Sequence, residues 1–106
     1  MVSHRPQSAA NMIRSIVGGV AREIPPDVAQ IVSITEVVVS PDVAHATVYV
    51  TALTNAKEAS DWLHRNAGRK VKPLIAKQLN IYTVPSLRFV VDTRPEKANR
   101  IDELLR

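Results

Sequence analysis

The sequence predicts an α+β fold, a three-stranded sheet with helices packed on one face. Three observations carry this reading. Near the N-terminus, Ala9, Met12, Ile13, Ile16, Val17, Val20, Ala21 and Ile24 recur at three- and four-residue spacing, the period of a helix with one buried stripe. Two runs rich in β-branched residues, 31–40 and 44–53, flank the turn residues Ser40, Pro41 and Asp42, which is hairpin patterning. Helical spacing then returns from about residue 56 to 79, before a last short alternating run at residues 87–91. At 106 residues and 45% hydrophobic content, the chain fits one domain, residues 1–106, with enough apolar material for a core.

Taken in order, Arg5 and Pro6 open the first helix, because proline pre-sets a helical φ in the first turn. Gly18 and Gly19 weaken it by roughly 1 kcal/mol each relative to alanine; the pair marks either a close approach of another element or a bend. Pro25, Pro26 and Asp27 stop the helix, since proline supplies no N–H and restricts the residue before it. In the second strand Ala44, Ala46, Val48, Val50 and Ala52 share one face, and His45, Thr47, Tyr49, Thr51 and Leu53 the other. That alternation is a half-buried strand paired antiparallel with the first.

Thr54 or Asn55 caps the next helix, with Glu58 in its first turn. Ala56, Ala59, Trp62 and Leu63 form its apolar side, and Asn66, Ala67 and Gly68 interrupt it. A further helix, with Val71, Leu74, Ile75 and Leu79 inward, runs to a stop at Asn80; Pro73 lies in its first turn or kinks it. Val84 and Pro85 lead into the third strand around Arg88. Ala98, Ile101, Leu104 and Leu105 make a short C-terminal helical stripe. The order α-β-β-α-α-β with a short C-terminal helix matches the type II KH arrangement, in which a helix pair around a glycine-containing loop meets single-stranded nucleic acid.

Composition excludes several classes. Without cysteine there is no disulfide framework and no cysteine-based zinc site, which suits a cytoplasmic location. No apolar run approaches a membrane span, and the N-terminus lacks the apolar stretch of a secretory signal. His4, His45 and His64 have no metal-ligand spacing, and no nucleophile motif, phosphate loop or dinucleotide fingerprint is present. No enzyme, metal or cofactor is therefore expected. Asp42 and Asp92 sit at strand ends, where turn and edge solubility is the expected role.

The net charge of +4 favours an acidic partner, and the charge is concentrated. Between Trp62 and Val91 there is no aspartate or glutamate. Within that stretch Arg65, Arg69, Lys70, Lys72 and Lys77 form a one-signed run beside the turn Asn66, Ala67 and Gly68. These five are the expected phosphate contacts, with Arg14 and Arg88 as weaker candidates. Trp62 falls on the apolar stripe and is expected in the core. Tyr82, in a loop beside the basic helix, is an open case between base stacking and packing. A free single-strand nucleic-acid binder and a protein-interaction module using the sheet edge are the alternatives.

The hairpin, residues 37–51, is similar to the V-x-V-S-x-D-L-x-x-A-x-V-Y-V signature of the ribosome-binding factor A family. The opening Arg5-Pro6, the break at Pro25, Pro26 and Asp27, the run from Val84 to Phe89, and Arg100, Ile101, Asp102, Glu103, Leu104 and Leu105 resemble that family in the same order. The resemblance implies a KH-like type II domain without catalytic activity. It implies a factor that binds the immature 30S subunit and 16S rRNA and assists late maturation, including 5′-end processing, often needed for growth in the cold; a monomer is the simplest expectation. In the family an Ala-x-Gly turn replaces the GxxG loop of KH domains. If Ala67 is that alanine, Arg69 stands where glycine is usual and Gly68 has moved one place. Pro73, and the lack of an arginine near Tyr82, are further departures.

Overall fold

The computed structural model describes residues 5–79 and 84–94. The expectations for Tyr82, for the stop at Asn80 and for the C-terminal stripe at residues 98–105 lie outside them.

Helix α1 spans Arg5–Ala21 and buries the predicted stripe, with Ile13 and Val17 fully enclosed. It ends before Ile24, where the Glu23 N–H bonds to the Val20 carbonyl (2.9 Å) and the Ile24 N–H to that of Ala21 (3.2 Å). These tighter turns bring the chain to Pro25, which cannot continue a helix. Strands β1 (Ser33–Val39) and β2 (His45–Thr51) pair antiparallel. A register shift between Ile34 and Glu36 leaves Thr35 as the extra residue of a β-bulge. Strand β3 (Ser86–Val91) lies parallel to β2 on its other side, so the sheet order is β1-β2-β3. Parallel neighbours need a crossover, and the helical run between β2 and β3 provides it.

That run contains α2 (Ala56–Asn66), a π-helical segment (Ala67–Val71) and α3 (Lys72–Leu79). Asn55 occupies the N-cap of α2 in a left-handed conformation (φ 58°), without a side-chain cap bond. The helices pack on one face of the sheet. Leu63, Ala67, Val71 and Ile75 meet Ala46, Val48, Val50 and Phe89, and α1 completes the core with Ile13, Ile16, Val17 and Val20. The predicted alternation of β2 holds: Ala46, Val48 and Val50 are at most 1% exposed, while His45 on the other face is exposed. The helix-free face, so called for the described residues, carries Glu36, Val38, Thr47, Tyr49 and Arg88.

Three expectations change. Leu74, expected inward, is 42% exposed on α3. A Cβ added at Gly18 or Gly19 would meet nothing within 4 Å, so among the described residues the glycine pair serves no close approach. The turn expected at Asn66, Ala67 and Gly68 is instead a widened continuation of the helix. The Lys72 N–H reaches back five residues to the Ala67 carbonyl, the hydrogen-bond step of a π-helix. Pro73 gives the physical reason. In a regular helix its ring would press on the carbonyl four residues back and its missing N–H would leave a gap; one extra residue in the preceding turn moves that carbonyl out of line.

Candidate nucleic-acid interface

The basic run rides on this widened helix. Arg65, Arg69 and Lys77 each follow a buried residue (Leu63, Ala67 and Ile75) by two positions. Two positions are roughly 200° of helical turn, so these side chains leave on the side away from the sheet. Lys72 is exposed as well, beside buried Val71. Four of the five expected contacts, Arg65, Arg69, Lys72 and Lys77, therefore occupy the outward surface of the helical layer rather than a turn at its edge.

Four of the five are alike and one differs. Arg65, Arg69, Lys72 and Lys77 make no ion pair among the described residues. Lys70 is half-buried; its Nζ lies 3.4 Å from Glu23 Oε1 and 5.6 Å from the centroid of the Trp62 indole. Both partners of that ion pair are substantially exposed, so it is worth under about 1 kcal/mol. It still turns Lys70 toward the end of α1 and leaves less of its charge for an external anion. Trp62 is half-buried and packs against the core. Asn66 is also held, its Nδ2 donating to the Trp62 carbonyl at 2.7 Å, which fixes the last turn of α2 before the helix widens.

The two weaker candidates sit elsewhere. Arg88 is exposed on the helix-free face, opposite Thr47 in the register, so it does not share a surface with the basic row. Arg14 is exposed on α1, beside a shallow depression of about 450 Å³ shared with Asn11, Ser15, Gly18, Gly19 and Arg22.

Several other polar side chains are committed to the fold. His64 Nε2 accepts the Phe89 N–H at 3.1 Å, and Ser60 Oγ donates to the Phe89 carbonyl at 3.1 Å. The imidazole also meets the Phe89 ring edge-on, centroids 5.1 Å apart. One turn of α2 thus satisfies both backbone groups of an edge residue in β3. Ser60 and His64 are four apart in sequence, a spacing that places them on one helix face, but nothing in the sequence points to Phe89.

Asp92 corrects an expectation. It is 6% exposed rather than a solvated strand end. Arg94 Nε and Nη2 lie 2.9 Å from its two carboxylate oxygens, and Thr35 Oγ1 donates to Oδ2 at 2.7 Å. The Arg94 hydrogen bonds, then that of Thr35, hold the Asp92 carboxyl far below the usual carboxylate range. Arg94 also reaches Glu36 at 2.8 Å and lies over the Tyr49 ring, 4.9 Å from its centroid. Asp42 lies in the hairpin at the opposite end of the sheet, where its Oδ1 accepts from Ser40 Oγ and the Ala44 N–H. The two acids cannot act together. Among the described residues no three metal-ligating side chains come together, and no helix is long and apolar enough to cross a membrane.

Comparison with known proteins places this geometry. The family model described as ribosome-binding factor A matches residues 5–105. Ribosome-binding factor A of Burkholderia cenocepacia (strain HI2424) is 36% identical over 100 residues, spanning 94% of this chain and 76% of that protein. The crystal structure of ribosome-binding factor A from Thermus thermophilus superposes with a TM-score of 0.69 at 19% identity, over 81% of this chain and 93% of that one. A homology model of the Thermus thermophilus factor, fitted into an electron cryo-microscopy map of its complex with the 30S subunit, gives 0.65 at 19% identity, over 78% and 90%. The fold is therefore the α-β-β-α-α-β fold of those structures, and the chain belongs to the ribosome-binding factor A family.

Proposed function

We propose that this chain acts as a single KH-like unit that binds the immature 30S ribosomal subunit in the cytoplasm and assists the last steps of its maturation. The observation that carries the reading is the outward row Arg65, Arg69, Lys72 and Lys77, one-signed and without ion-pair partners among the described residues. A row of that kind meets phosphates and fixes orientation without reading bases. In this reading the polyanion is 16S rRNA in the immature subunit, 5′-end processing is the step assisted, and growth in the cold is the condition that most needs it; membership of a ribosome-binding family supports it. The side chains carry the contact, because the junction beside them is a helix whose backbone groups are already bonded.

Such a factor works by binding and not by catalysis. To favour one rRNA conformation it must bind that conformation more tightly than the mature one, since equal affinity for both shifts nothing. A monomer is sufficient for this. Sucrose-gradient fractionation of the tagged chain tests the proposal. Co-migration with free small subunits, and depletion from translating ribosomes, is the expected result. Equal presence on both, or absence from both with binding to free oligonucleotides instead, would replace it with a free single-strand binder.

A further inference from the structure

The two edges of the sheet are treated differently. In β3 the backbone of Phe89 is capped by Ser60 and His64. In β1 the outward groups have no hydrogen-bond partner among the described residues. Which groups face outward follows from the hairpin. The Ser40 N–H bonds to the His45 carbonyl at 2.9 Å and the His45 N–H to Ser40 Oγ at 3.0 Å, so Ser40 and His45 turn their backbone groups toward each other as a bonded pair. Antiparallel pairs alternate between bonded and non-bonded. In the register Val39↔Ala46, Val38↔Thr47, Val37↔Val48, Val38 therefore points its N–H and C=O at β2, while Val37 and Val39 point theirs away.

That open edge borders a groove of about 400 Å³ between β1 and α1. Its floor is five consecutive residues, 35–39. Consecutive residues alternate between the two faces of a sheet, so the groove follows the strand's edge and not one of its faces. Its other wall is α1, with Gln7, Asn11 and Arg14. Arg14 is exposed and has no ion pair among the described residues. Natural edges are usually blunted by lysine, proline, a bulge or a cover. Here the bulge at Thr35 blunts one end only, and Val37, Val38 and Val39 carry no such guard; Val38 is 48% exposed.

We propose that the β1 edge takes up an extended peptide segment of a partner protein as a fourth strand, with an acidic side chain of that segment meeting Arg14. Spaced backbone donors and acceptors beside β-branched side chains suit strand addition; they do not suit a phosphate chain, which offers acceptors only. Two copies of this chain fit less well, because each carries a net charge of +4 and the copies would bring two Arg14 guanidinium groups to one interface. The inference is independent of the rRNA reading, since Arg14 and β1 lie outside the basic row on α2 and α3.

The test is titration of the full isotopically labelled chain with the acetylated pentapeptide Thr-Val-Glu-Val-Thr, followed at backbone amides. In the free chain the Val37 and Val39 amides exchange with solvent quickly and that of Val38 slowly. On binding, Val37 and Val39 become protected. Arg14→Glu weakens binding about tenfold, a peptide with lysine in place of glutamate does so comparably, and N-methylation of alternate peptide amides abolishes it. Binding indifferent to N-methylation, shifts confined to other residues, or no binding at millimolar peptide would overturn the proposal. So would a short oligouridylate that protects the same amides, or protection that rises with protein concentration alone; these would assign the edge to nucleic acid or to a second copy.

Discussion

At the scale of single residues, the informative side chains are those whose partners lie far away in sequence. His64 follows Ser60 on α2, yet both serve Phe89, 25 and 29 positions on. Removing one partner leaves a half-buried N–H bare, which costs about 1–3 kcal/mol. His64→Ala should therefore destabilise the chain by that amount in urea unfolding and speed exchange of the Phe89 amide. Asp92 makes a second case, with a definite sign. Its carboxyl is held low in the folded chain by Arg94 and Thr35. A depressed folded pKa gives a stabilisation that is complete above the ordinary aspartate value and is lost as pH falls from about 4 toward the folded value. Asp92→Asn should lower stability at neutral pH and flatten its acid limb, as measured by urea unfolding across that range. An unchanged acid limb would remove Asp92 from the account. The sequence shows Asp92 only as a polar residue after an apolar strand. Its burial depends on Arg94, two positions on, and on Thr35, 57 positions away, and the second partnership has no local signature.

At the scale of elements, what was legible in the sequence tracks how local the physics is. The stripe of α1 and the alternation of β2 are readable because burial follows the period of the element itself. The hairpin is readable because Ser40, Pro41 and Asp42 make a turn from neighbours. The parallel docking of β3 beside β2, and the π-helical form of Ala67–Val71, depend on elements meeting in space and on Pro73 acting four residues upstream. The basic row was legible as charge. Its outward direction was legible only as a period, and the diversion of Lys70 to Glu23 and Trp62 was not legible at all. Gly18 and Gly19 yield a prediction at this scale. Since a Cβ at either meets nothing within 4 Å, Gly18→Ala and Gly19→Ala should each stabilise the chain by about 0.5–1 kcal/mol through helix propensity alone. Destabilisation in urea unfolding would show that α1 needs glycine there. Ile75→Ala, in contrast, empties a fully buried site beside the π segment and should cost about 2–5 kcal/mol.

At the scale of the whole molecule, the fold divides into a packed layer and two open surfaces of different character. The sheet's inner face and the helices share one apolar core. Outside it, the helical layer turns a positive row outward, and at the β1 edge backbone groups of valine have no partner among the described residues. The first suits a polyanion and the second an extended chain. A factor on an immature ribosomal subunit meets both rRNA and protein, so the two surfaces need not compete. The central proposal concerns the first: Arg65, Arg69, Lys72 and Lys77 meet rRNA phosphates, and Lys70, drawn toward Glu23 and Trp62, contributes less. The direct measurement is the salt dependence of binding to purified immature 30S subunits, compared between the native chain and the variant with all four residues changed to alanine. Each phosphate contact contributes about 0.7–0.9 to the slope of log affinity against log salt. The variant should bind more weakly at low salt, with a slope shallower by about 3, while Lys70→Ala alone should change the slope by clearly less than one contact. An unaltered slope in the four-residue variant, with its fold intact by amide spectra, would contradict the account.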